Sequence, residues 1–125
     1  MKPHLTIEEV AEQTGLTAYT LRYYERIGLI APVHRAAGGH RRYAASDMDW
    51  IAFLLRLRTT HMPIGMMQTF ARLRGMGETT IPARRQLLEE HLQNTLADME
   101  AMRQAATILA AKIAHYKSIE NHCAV

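Results

Sequence analysis

The fold of this chain is decided by residues 15–30, which read Gly-Leu-Thr-Ala-Tyr-Thr-Leu-Arg-Tyr-Tyr-Glu-Arg-Ile-Gly-Leu-Ile. Thr17 is a good helix N-cap, and the apolar face that follows carries Leu21, Tyr24 and Ile27 at helical spacing. The second glycine of the stretch stops the helix, because glycine readily adopts the left-handed conformation in which helices commonly end. The stretch therefore predicts one short helix that buries one face and leaves arginine and tyrosine side chains on the others.

A second short helix is predicted just before this one. Thr6-Ile7-Glu8-Glu9 has the Thr-x-x-Glu spacing of a capping box, in which hydroxyl and carboxylate satisfy free amides at a helix start. This helix is expected to run from Ile7 to about Gln13, and Gly15 suits the turn after it. Two short helices joined by a tight glycine-containing turn form a helix-turn-helix candidate.

Residues 29–43 lack helical periodicity and contain a Gly38-Gly39 pair. The segments on either side, 33–35 and 40–43, are short and basic, as expected for two strands of a hairpin that turns at the glycines. The sequence thus predicts a small basic β-hairpin, the wing, after the helix-turn-helix.

Two further helices complete the amino-terminal part. Ser46-Asp47-Met48-Asp49 is interpreted as the capping box of a helix that continues to about Thr59. Pro63 stands near the start of the next helix, which ends by Gly75. The first of the two is apolar on most faces and belongs in the core, with candidate core residues Trp50, Phe53, Leu54 and Leu57.

The rest of the chain predicts one long helix. Between Ile81 and Glu120 the only glycine or proline is Pro82, which a first helical turn tolerates, so a helix of roughly 55–60 Å is expected. Its apolar residues recur at alternating steps of four and three, interrupted only by Thr95, as in a coiled coil with a second subunit. An intrachain hairpin is the alternative, which the lack of a helix breaker disfavours. The dimerisation candidates are Leu88, Leu92, Met99, Met102, Leu109, Ile113 and Tyr116.

These patterns give a fold dominated by α-helices and divided into three segments. Residues 1–75 are predicted to form a winged helix-turn-helix head, and residues 76–120 a linker and a coiled-coil helix. Residues 121–125 are a short tail, disordered or associated with an effector. The glycines at positions 75 and 77 mark the boundary of the head.

Composition restricts the class of protein. Of 125 residues, 48% are apolar and 22% charged, which is typical of a soluble folded chain. The longest apolar run, residues 50–55, is too short to span a membrane, and the amino terminus has no apolar signal-peptide core, so a cytoplasmic protein is expected. Cys123 is the single cysteine, which excludes a disulfide within the monomer.

Charge is unevenly distributed along the chain. Residues 1–75 contain ten Lys or Arg and six Asp or Glu, whereas residues 76–125 contain five and six. The basic residues concentrate between Arg22 and Arg42, where tyrosines are interleaved with them. Because guanidinium and phenol groups both donate hydrogen bonds to phosphate oxygens, this pattern favours a nucleic-acid partner over a membrane surface. A solvated basic face is the alternative.

The chain contains Thr6-Ile7-Glu8-Glu9-Val10-Ala11, then Thr20-Leu21-Arg22-Tyr23-Tyr24-Glu25-Arg26-Ile27-Gly28-Leu29-Ile30, then Gly39-His40-Arg41-Arg42-Tyr43 and Asp47. These motifs resemble the MerR-type transcriptional regulators over about residues 4–75, and the long helix is similar in position. The resemblance implies a homodimer with winged heads at the two ends of an antiparallel coiled coil, bound to a pseudo-palindromic promoter site in double-stranded DNA. It further implies that the dimer bends and untwists the duplex in response to an effector or stress signal, and so activates or represses RNA polymerase at the promoter.

The resemblance also assigns roles to residues of the head. The helix from about Ala18 to Arg26 would enter the major groove, where Tyr19 and Arg22 would contact base edges. The full set of candidates for DNA contact comprises Ala18, Tyr19, Arg22, Tyr23, Tyr24, Arg41, Arg42, Tyr43 and Arg58.

Phosphate contacts would come from Tyr23, Tyr24 and the wing residue Arg41, and the weaker candidates for such contacts are Arg42, Tyr43 and Arg58. Two of the tyrosines have an alternative structural role. Tyr24 lies on the apolar side of its helix and could be a core residue with only its hydroxyl exposed, and Tyr43 could anchor the wing to the head.

The sequence gives little indication of an effector, and no cofactor is predicted. Metal-sensing members of the family resemble one another in having paired cysteines near the start of the long helix, and this chain has none near Ile81. Aldehyde- and thiol-stress members have a reactive cysteine where this chain has Arg56, and the chain ends too soon after the long helix to carry a large ligand-binding domain. Weak metal-ligand candidates remain in the tail region, against the alternative of incidental side chains: His115, His122 and Cys123.

Two alternatives to a promoter-bound regulator are considered. An architectural or recombination-directing protein could use the same winged head without a small-molecule signal. An enzyme is not predicted, because the sequence shows no nucleophile–base spacing, phosphate-binding loop or pair of carboxylates on one face.

Overall fold

The computed structural model describes residues 4–123 as five α-helices, one short 3-10 helix and three short β-strands. The chain divides into two compact units, one ending at Leu87 and the other beginning at Leu88. The predicted fold class is confirmed. In chain order the elements are β1 (His4–Leu5), α1 (Ile7–Thr14), α2 (Ala18–Arg26), β2 (His34–Arg35), β3 (Arg41–Ala44), α3 (Ala45–Thr59), α4 (Ile64–Gly75), the 3-10 helix (Glu78–Thr80) and α5 (Ile81–Cys123).

The helix-turn-helix forms as its capping residues indicate. At the start of α1, the Glu9 amide donates to Thr6 Oγ1 at 3.2 Å and the Thr6 amide donates to Glu9 Oε1 at 3.0 Å, which completes the predicted capping box. Gly15 ends α1 in the left-handed conformation at φ 77°, and Thr17 Oγ1 caps α2 by accepting from the Thr20 amide at 3.0 Å. Local side-chain chemistry therefore fixes both helix starts.

The wing is a hairpin of β2 and β3 that turns at the paired glycines. The strands are antiparallel, with Arg35 opposite Arg41, and Gly39 takes the turn with φ 84°. β1, which the sequence pattern did not predict, pairs with the other edge of β3 through Leu5 and Tyr43, so the sheet order is β1-β3-β2. A strand of two residues is too short to show the alternation by which strands are recognised in sequence.

The start of α3 differs from the prediction. β3 continues directly into the helix, so Ala44 is the N-cap and its amide donates to Asp47 Oδ2 at 2.8 Å. The expected Ser46–Asp49 capping box is wrong, because the strand places Asp47 rather than Asp49 at the third helical position. Only the carboxylate half of the box forms, since alanine has no hydroxyl to accept the return bond.

The core of the head is built around aromatic rings of α3 and α4. The Trp50 indole stacks on Phe70 at a centroid distance of 5.9 Å and donates through Nε1 to the Leu29 carbonyl at 2.7 Å. The Arg74 guanidinium lies over the Trp50 ring, 4.8 Å from its centroid. Three of the four predicted core residues are buried, and Phe53 packs against the core half-buried.

A compact hydrogen-bonded turn joins α4 to α5. Thr80 is buried, and its Oγ1 lies 2.6 Å from the Leu73 carbonyl and 2.7 Å from the Gly77 carbonyl. Arg84 donates through Nε to the same hydroxyl at 3.1 Å and through Nη2 to the Gly77 carbonyl at 3.1 Å. Gly77 has φ 99° and ψ −171°, a region that is essentially accessible only to glycine.

α5 is the predicted uninterrupted helix. It has 43 residues and is roughly 64 Å long at 1.5 Å per residue. It continues through the expected tail as far as Cys123, and the last two tail residues lie outside the described residues. The seven dimerisation candidates are all exposed on this chain. Within residues 4–123, no helix combines the length and the apolar content required to cross a bilayer.

We expect Thr80→Val to lower the free energy of unfolding by about 1–3 kcal/mol, because it removes a buried hydroxyl, which leaves the Arg84 Nε without its partner and the Leu73 carbonyl with only its backbone donor. Thr79→Val is the matched control, because Thr79 is exposed in the same 3-10 helix. Urea unfolding followed by circular dichroism measures both changes. Equal midpoints for the two variants would contradict the role assigned to the Thr80 hydroxyl.

Candidate nucleic-acid interface

α2 presents an outer face of polar and aromatic side chains. Leu21 and Tyr24 are buried, which turns the residues at positions 19, 22, 23 and 26 away from the core. Tyr19 is 70% exposed, and the Arg26 guanidinium lies 5.4 Å from the centroid of the Tyr23 ring. The exposed face of α2 therefore carries two phenol hydroxyls and two guanidinium groups.

An ion pair joins α2 to the wing. Arg41 Nε of β3 donates to Glu25 Oε1 of α2 at 2.9 Å, and the two side chains are only 19% and 14% exposed. Charge-assisted hydrogen bonds in such partly buried positions are stronger than those between neutral groups. The pair therefore fixes the wing arginine relative to α2.

The ion pair forms one wall of a surface depression between α2 and the wing. This depression has a volume of about 400 Å³. Its lining includes Tyr19 and Arg22 in addition to the paired residues Glu25 and Arg41. A second depression of about 300 Å³ adjoins it, and both are lined by Arg22 and Arg41. The structure thus brings together three of the predicted DNA-contacting residues from two different elements: Tyr19, Arg22 and Arg41.

Tyr43 does not belong to this surface. Its side chain is 1% exposed, and its hydroxyl is buried without a hydrogen-bond partner among the described residues. Burial raises the pKa of the Tyr43 phenol above its ordinary value, so the group stays neutral. This burial corrects the expectation that Tyr43 contacts phosphate, because β3 packs its side chain into the core. It agrees with the alternative that Tyr43 anchors the wing to the head.

Tyr24 and Arg58 are engaged with each other. Tyr24 is buried, and its hydroxyl accepts a hydrogen bond from Arg58 Nη1 at 2.9 Å. This contact ties α2 to the carboxyl-terminal turn of α3, which gives Tyr24 the core role that its position on the apolar face indicated. We therefore exclude Tyr24 from the candidate DNA-contacting surface, whereas Arg58 is an exposed residue of α3.

Two further candidates, Ala18 and Arg42, line neither depression. Ala18 is the half-buried first residue of α2, and its methyl group offers no hydrogen bond. Arg42 is exposed on the wing opposite His34. Arg35 donates through Nη1 to the Gly39 carbonyl at 2.9 Å and so supports the wing turn.

Glu25 is the residue of the candidate site that the sequence reasoning missed. It is the only acidic residue between Glu12 and Asp47, and so it stands alone within the basic stretch. An isolated carboxylate among arginines is the signal that could have indicated a structural ion pair at this surface.

The tail candidates do not assemble into a metal site. Among the described residues, no group of three or more His, Cys, Asp or Glu side chains is close enough to hold a metal ion. His115 contacts the ring of Tyr116 at 6.1 Å, and Cys123 is exposed near the end of α5. Residues 4–123 therefore supply no group of side chains that would complete a metal site together with His115, His122 and Cys123.

Comparison with known proteins shows the family to which this chain is similar. The sequence model described as "MerR family regulatory protein" matches residues 6–43, which include α1, α2, the wing and the ion pair. The HTH-type transcriptional regulator AdhR of Bacillus subtilis is 40% identical over 92 residues, covering 74% of this chain and 66% of AdhR. An HTH-type transcriptional regulator of Haemophilus influenzae is 32% identical over 112 residues, covering 90% of this chain and 83% of the relative.

The chain belongs to the MerR family. HiNmlR, a MerR family regulator lacking the sensor domain, has been solved bound to promoter DNA and is 31% identical to this chain. The two structures match with a TM-score of 0.73 over 92% of this chain and 91% of HiNmlR. A MerR family transcriptional regulator from Listeria monocytogenes is 37% identical, and it matches with a TM-score of 0.78 over 90% of this chain and 86% of its own. The protein is thus a DNA-binding transcriptional regulator of this family, and its relatives are regulators rather than enzymes.

We expect Glu25→Gln to weaken binding to a specific DNA site by about fivefold, which corresponds to about 1 kcal/mol, because Arg41 loses the partner that orients it. Binding to random-sequence DNA should not weaken, since the change removes a negative charge from the interface. Glu8→Gln is the control, because it removes the same charge from the adjoining depression. Titration of both variants with labelled duplexes measures the effects, and identical behaviour of the two would contradict a positioning role for Glu25.

We expect Tyr43→Phe to leave DNA affinity unchanged and to stabilise the head by up to about 1 kcal/mol, because the buried hydroxyl it removes has no described partner. Tyr19→Phe makes the same chemical change on the exposed face of α2, and it should leave stability unchanged but weaken DNA binding. Urea unfolding and DNA titration distinguish the two positions. A loss of DNA affinity in Tyr43→Phe would contradict the exclusion of Tyr43 from the interface.

Proposed function

We propose that this chain acts as a homodimer that binds a pseudo-palindromic promoter site through its two heads and changes the shape of the duplex in response to an effector. The change in shape controls access by RNA polymerase. The observation that supports this proposal best is the shared depression in which Tyr19 and Arg22 of α2 lie beside Arg41 of the wing.

α2 has the dimensions and side chains of a recognition helix. Its nine residues span roughly 13 Å, and an α-helix with its side chains is about 10–12 Å across, which fits a major groove about 12 Å wide. Arg22 lies on the exposed face and can form a bidentate pair with guanine, which discriminates by about 1–3 kcal/mol against a wrong base. In the proposal, Tyr19 and Arg22 read base edges, whereas Tyr23 contacts the adjacent backbone.

The wing supplies phosphate contacts in this proposal. Arg41 uses Nε for Glu25, and within residues 4–123 no hydrogen bond occupies its two terminal nitrogens. Those terminal donors can therefore bind a phosphate oxygen while the ion pair holds the side chain in place. Arg42 is exposed on the same hairpin and extends the positive surface along the backbone.

The exposed stripe on α5 supports a dimer. Met102 is 72% exposed and Leu109 is 64% exposed on the isolated chain, and apolar side chains at heptad positions are typical of a helix that packs on a second helix. A symmetric dimer presents two identical heads, and symmetric half-sites in DNA are the matching target.

Distortion of the duplex requires more binding free energy than recognition alone. Bending or untwisting a site of this kind costs on the order of 1–10 kcal/mol, which must be offset by additional contacts. Two heads with arginine and tyrosine donors provide such contacts. An effector then acts by favouring one of two dimer–DNA geometries, because a ligand shifts an equilibrium only through its difference in affinity for the two states.

We expect Arg22→Ala to relax base preference and Arg41→Ala to weaken binding to all sequences, because the first residue reads bases and the second holds phosphate. Arg41→Ala should also reduce the slope of log affinity against log salt concentration by about one per head. Arg56→Ala is the charge-matched control, since Arg56 is exposed on α3 and lines neither depression. Selection and sequencing of bound DNA fragments, followed by salt titration, measures these effects, and an equal loss on every sequence for both test variants would contradict the assigned roles.

The regulatory part of the proposal is tested on the selected DNA site. Run-off transcription and a bending assay on circularly permuted fragments should both respond to the protein. Bending without a transcriptional change would favour an architectural role instead.

A further inference from the structure

A cavity lies on the head between the segment that ends α2 and the carboxyl-terminal half of α4. This α2–α4 cavity is lined by residues 25–32, by Trp50 of α3 and by Gln68, Ala71, Arg72, Arg74 and Gly75 of α4. Its volume is about 690 Å³, which is typical of cavities that hold small organic molecules. All of its residues belong to the unit that ends at Leu87, so a single head contains the whole cavity.

α4 leaves room for an apolar ligand on the side that faces the cavity. Helical spacing places Gln68, Ala71 and Gly75 in one row, and Arg72 and Arg74 flank this row on its two sides. Two of the three residues in the row have little or no side chain. A Cβ atom at Gly75 would meet no other part of the chain within 4 Å, so the space beside this end of α4 is open.

The opposite wall is held in place by hydrogen bonds to its backbone. Gln68 Nε2 donates to the Ile27 carbonyl at 2.8 Å, and Trp50 Nε1 donates to the Leu29 carbonyl at 2.7 Å. The Leu29 amide donates to the Tyr24 carbonyl of α2 at 2.9 Å. The cavity is therefore formed before a ligand binds, which lowers the cost of ordering the site on binding.

The lining of the cavity has an excess of positive charge. It includes Arg26, Arg72 and Arg74 but only one acidic residue, Glu25, whose carboxylate is already paired with Arg41 at 2.9 Å. Within residues 4–123, none of the three lining arginines forms an ion pair. Guanidinium groups bind carboxylate, sulfonate or phosphate groups through charge-assisted hydrogen bonds. An anionic group of a ligand would thus balance the charge of this cavity.

The arrangement of charge favours a small amphipathic anion over a DNA phosphate. Arg26 stands at the end of α2 and Arg72 on α4, so the charged groups lie on different walls of a concave space. Apolar surface also lines this space, from Ile27, Ala31, Pro32 and Ala71. A DNA backbone uses only the charged groups, whereas a molecule with an apolar body and one acidic group uses both parts of the lining.

The cavity shares a wall with the depression between α2 and the wing. Glu25, Arg26 and Pro32 line both of them. A bound anion would therefore place negative charge beside the candidate DNA surface, which is unfavourable for a polyanion. Because a coupling free energy is reciprocal, DNA would lower the affinity of the anion by the same factor.

We propose that the α2–α4 cavity binds an organic anion, with the acidic group held by Arg26 and Arg72 and the apolar body against α4, and that this anion and DNA weaken each other's binding. The effect on DNA rests on the DNA binding proposed above, whereas the site itself does not.

A pair of fluorescent probes tests the charge requirement. Anilinonaphthalene sulfonate has an apolar body and one anionic group, and it fluoresces on apolar surface. Arg72→Gln should weaken its binding by about tenfold, because one charge-assisted contact is lost. N-phenylnaphthylamine, which lacks the sulfonate, should bind Arg72→Gln and the unaltered chain equally. Arg56→Gln is the control, because Arg56 is exposed on α3 outside the cavity. Equal affinity of the sulfonate for Arg72→Gln and the unaltered chain would overturn the proposal.

Filling the cavity tests the apolar part. Gly75→Phe should weaken both probes by about tenfold, because its ring occupies the space of the apolar body. Gly65→Phe is the matched control, since Gly65 lies in the same helix, also borders open space and does not line the cavity. Circular dichroism and urea unfolding check that both variants fold, and Arg72→Gln keeps the test independent of Gly75→Phe. Undiminished binding of both probes to folded Gly75→Phe would place them elsewhere and overturn the proposal.

Titration with DNA tests the coupling. Saturating sulfonate probe should weaken binding to a specific duplex by about threefold in the unaltered chain, and it should have no such effect in Arg72→Gln. Unchanged DNA affinity in the unaltered chain would overturn the coupling. If Arg72→Gln instead weakens DNA binding as strongly as Arg41→Ala and leaves sulfonate binding intact, the occupant is a DNA phosphate and the proposal is wrong.

The two proposals fail separately in these experiments. A chain that shows the expected probe pattern but binds no DNA would refute the proposed function and the coupling, and the anion site would stand. A chain that binds DNA but shows the same probe affinities in all variants would refute only the anion site.

Discussion

The rest of the head depends on one constraint, which is that α2 must bury one side while it leaves the other side exposed. Leu21 is completely buried, and Tyr24 is held in place by the hydrogen bond from Arg58. With these two side chains fixed, helical geometry leaves no choice about the direction of Tyr19 and Arg22. In the proposed interface, the surface for DNA is therefore obtained by packing the opposite face, so the core residues of α2 matter for binding although they point away from that surface.

A carboxylate at the proposed DNA-binding surface is unfavourable for binding a polyanion unless its own partner is considered. Glu25 lowers the positive potential of the surface, but it holds Arg41 by a 2.9 Å hydrogen bond between two elements that are far apart in sequence. A free arginine has many rotamers, and ordering it on binding costs conformational entropy. The ion pair meets part of that cost in the folded protein, so the wing arginine is oriented before DNA arrives.

The elements with local signals could be predicted from the sequence, and those set by tertiary contacts could not. The Thr6–Glu9 capping box, the glycine at position 15 and the unbroken run after Pro82 each act within a few residues, and α1, α2 and α5 follow them closely. β1 and the start of α3 depend on pairing with β3, which a local pattern does not contain. The same reason applies to the candidate site: composition and resemblance indicate Arg22 and Tyr19, whereas only the packed wing decides between the two roles of Tyr43 and gives Arg41 its partner Glu25.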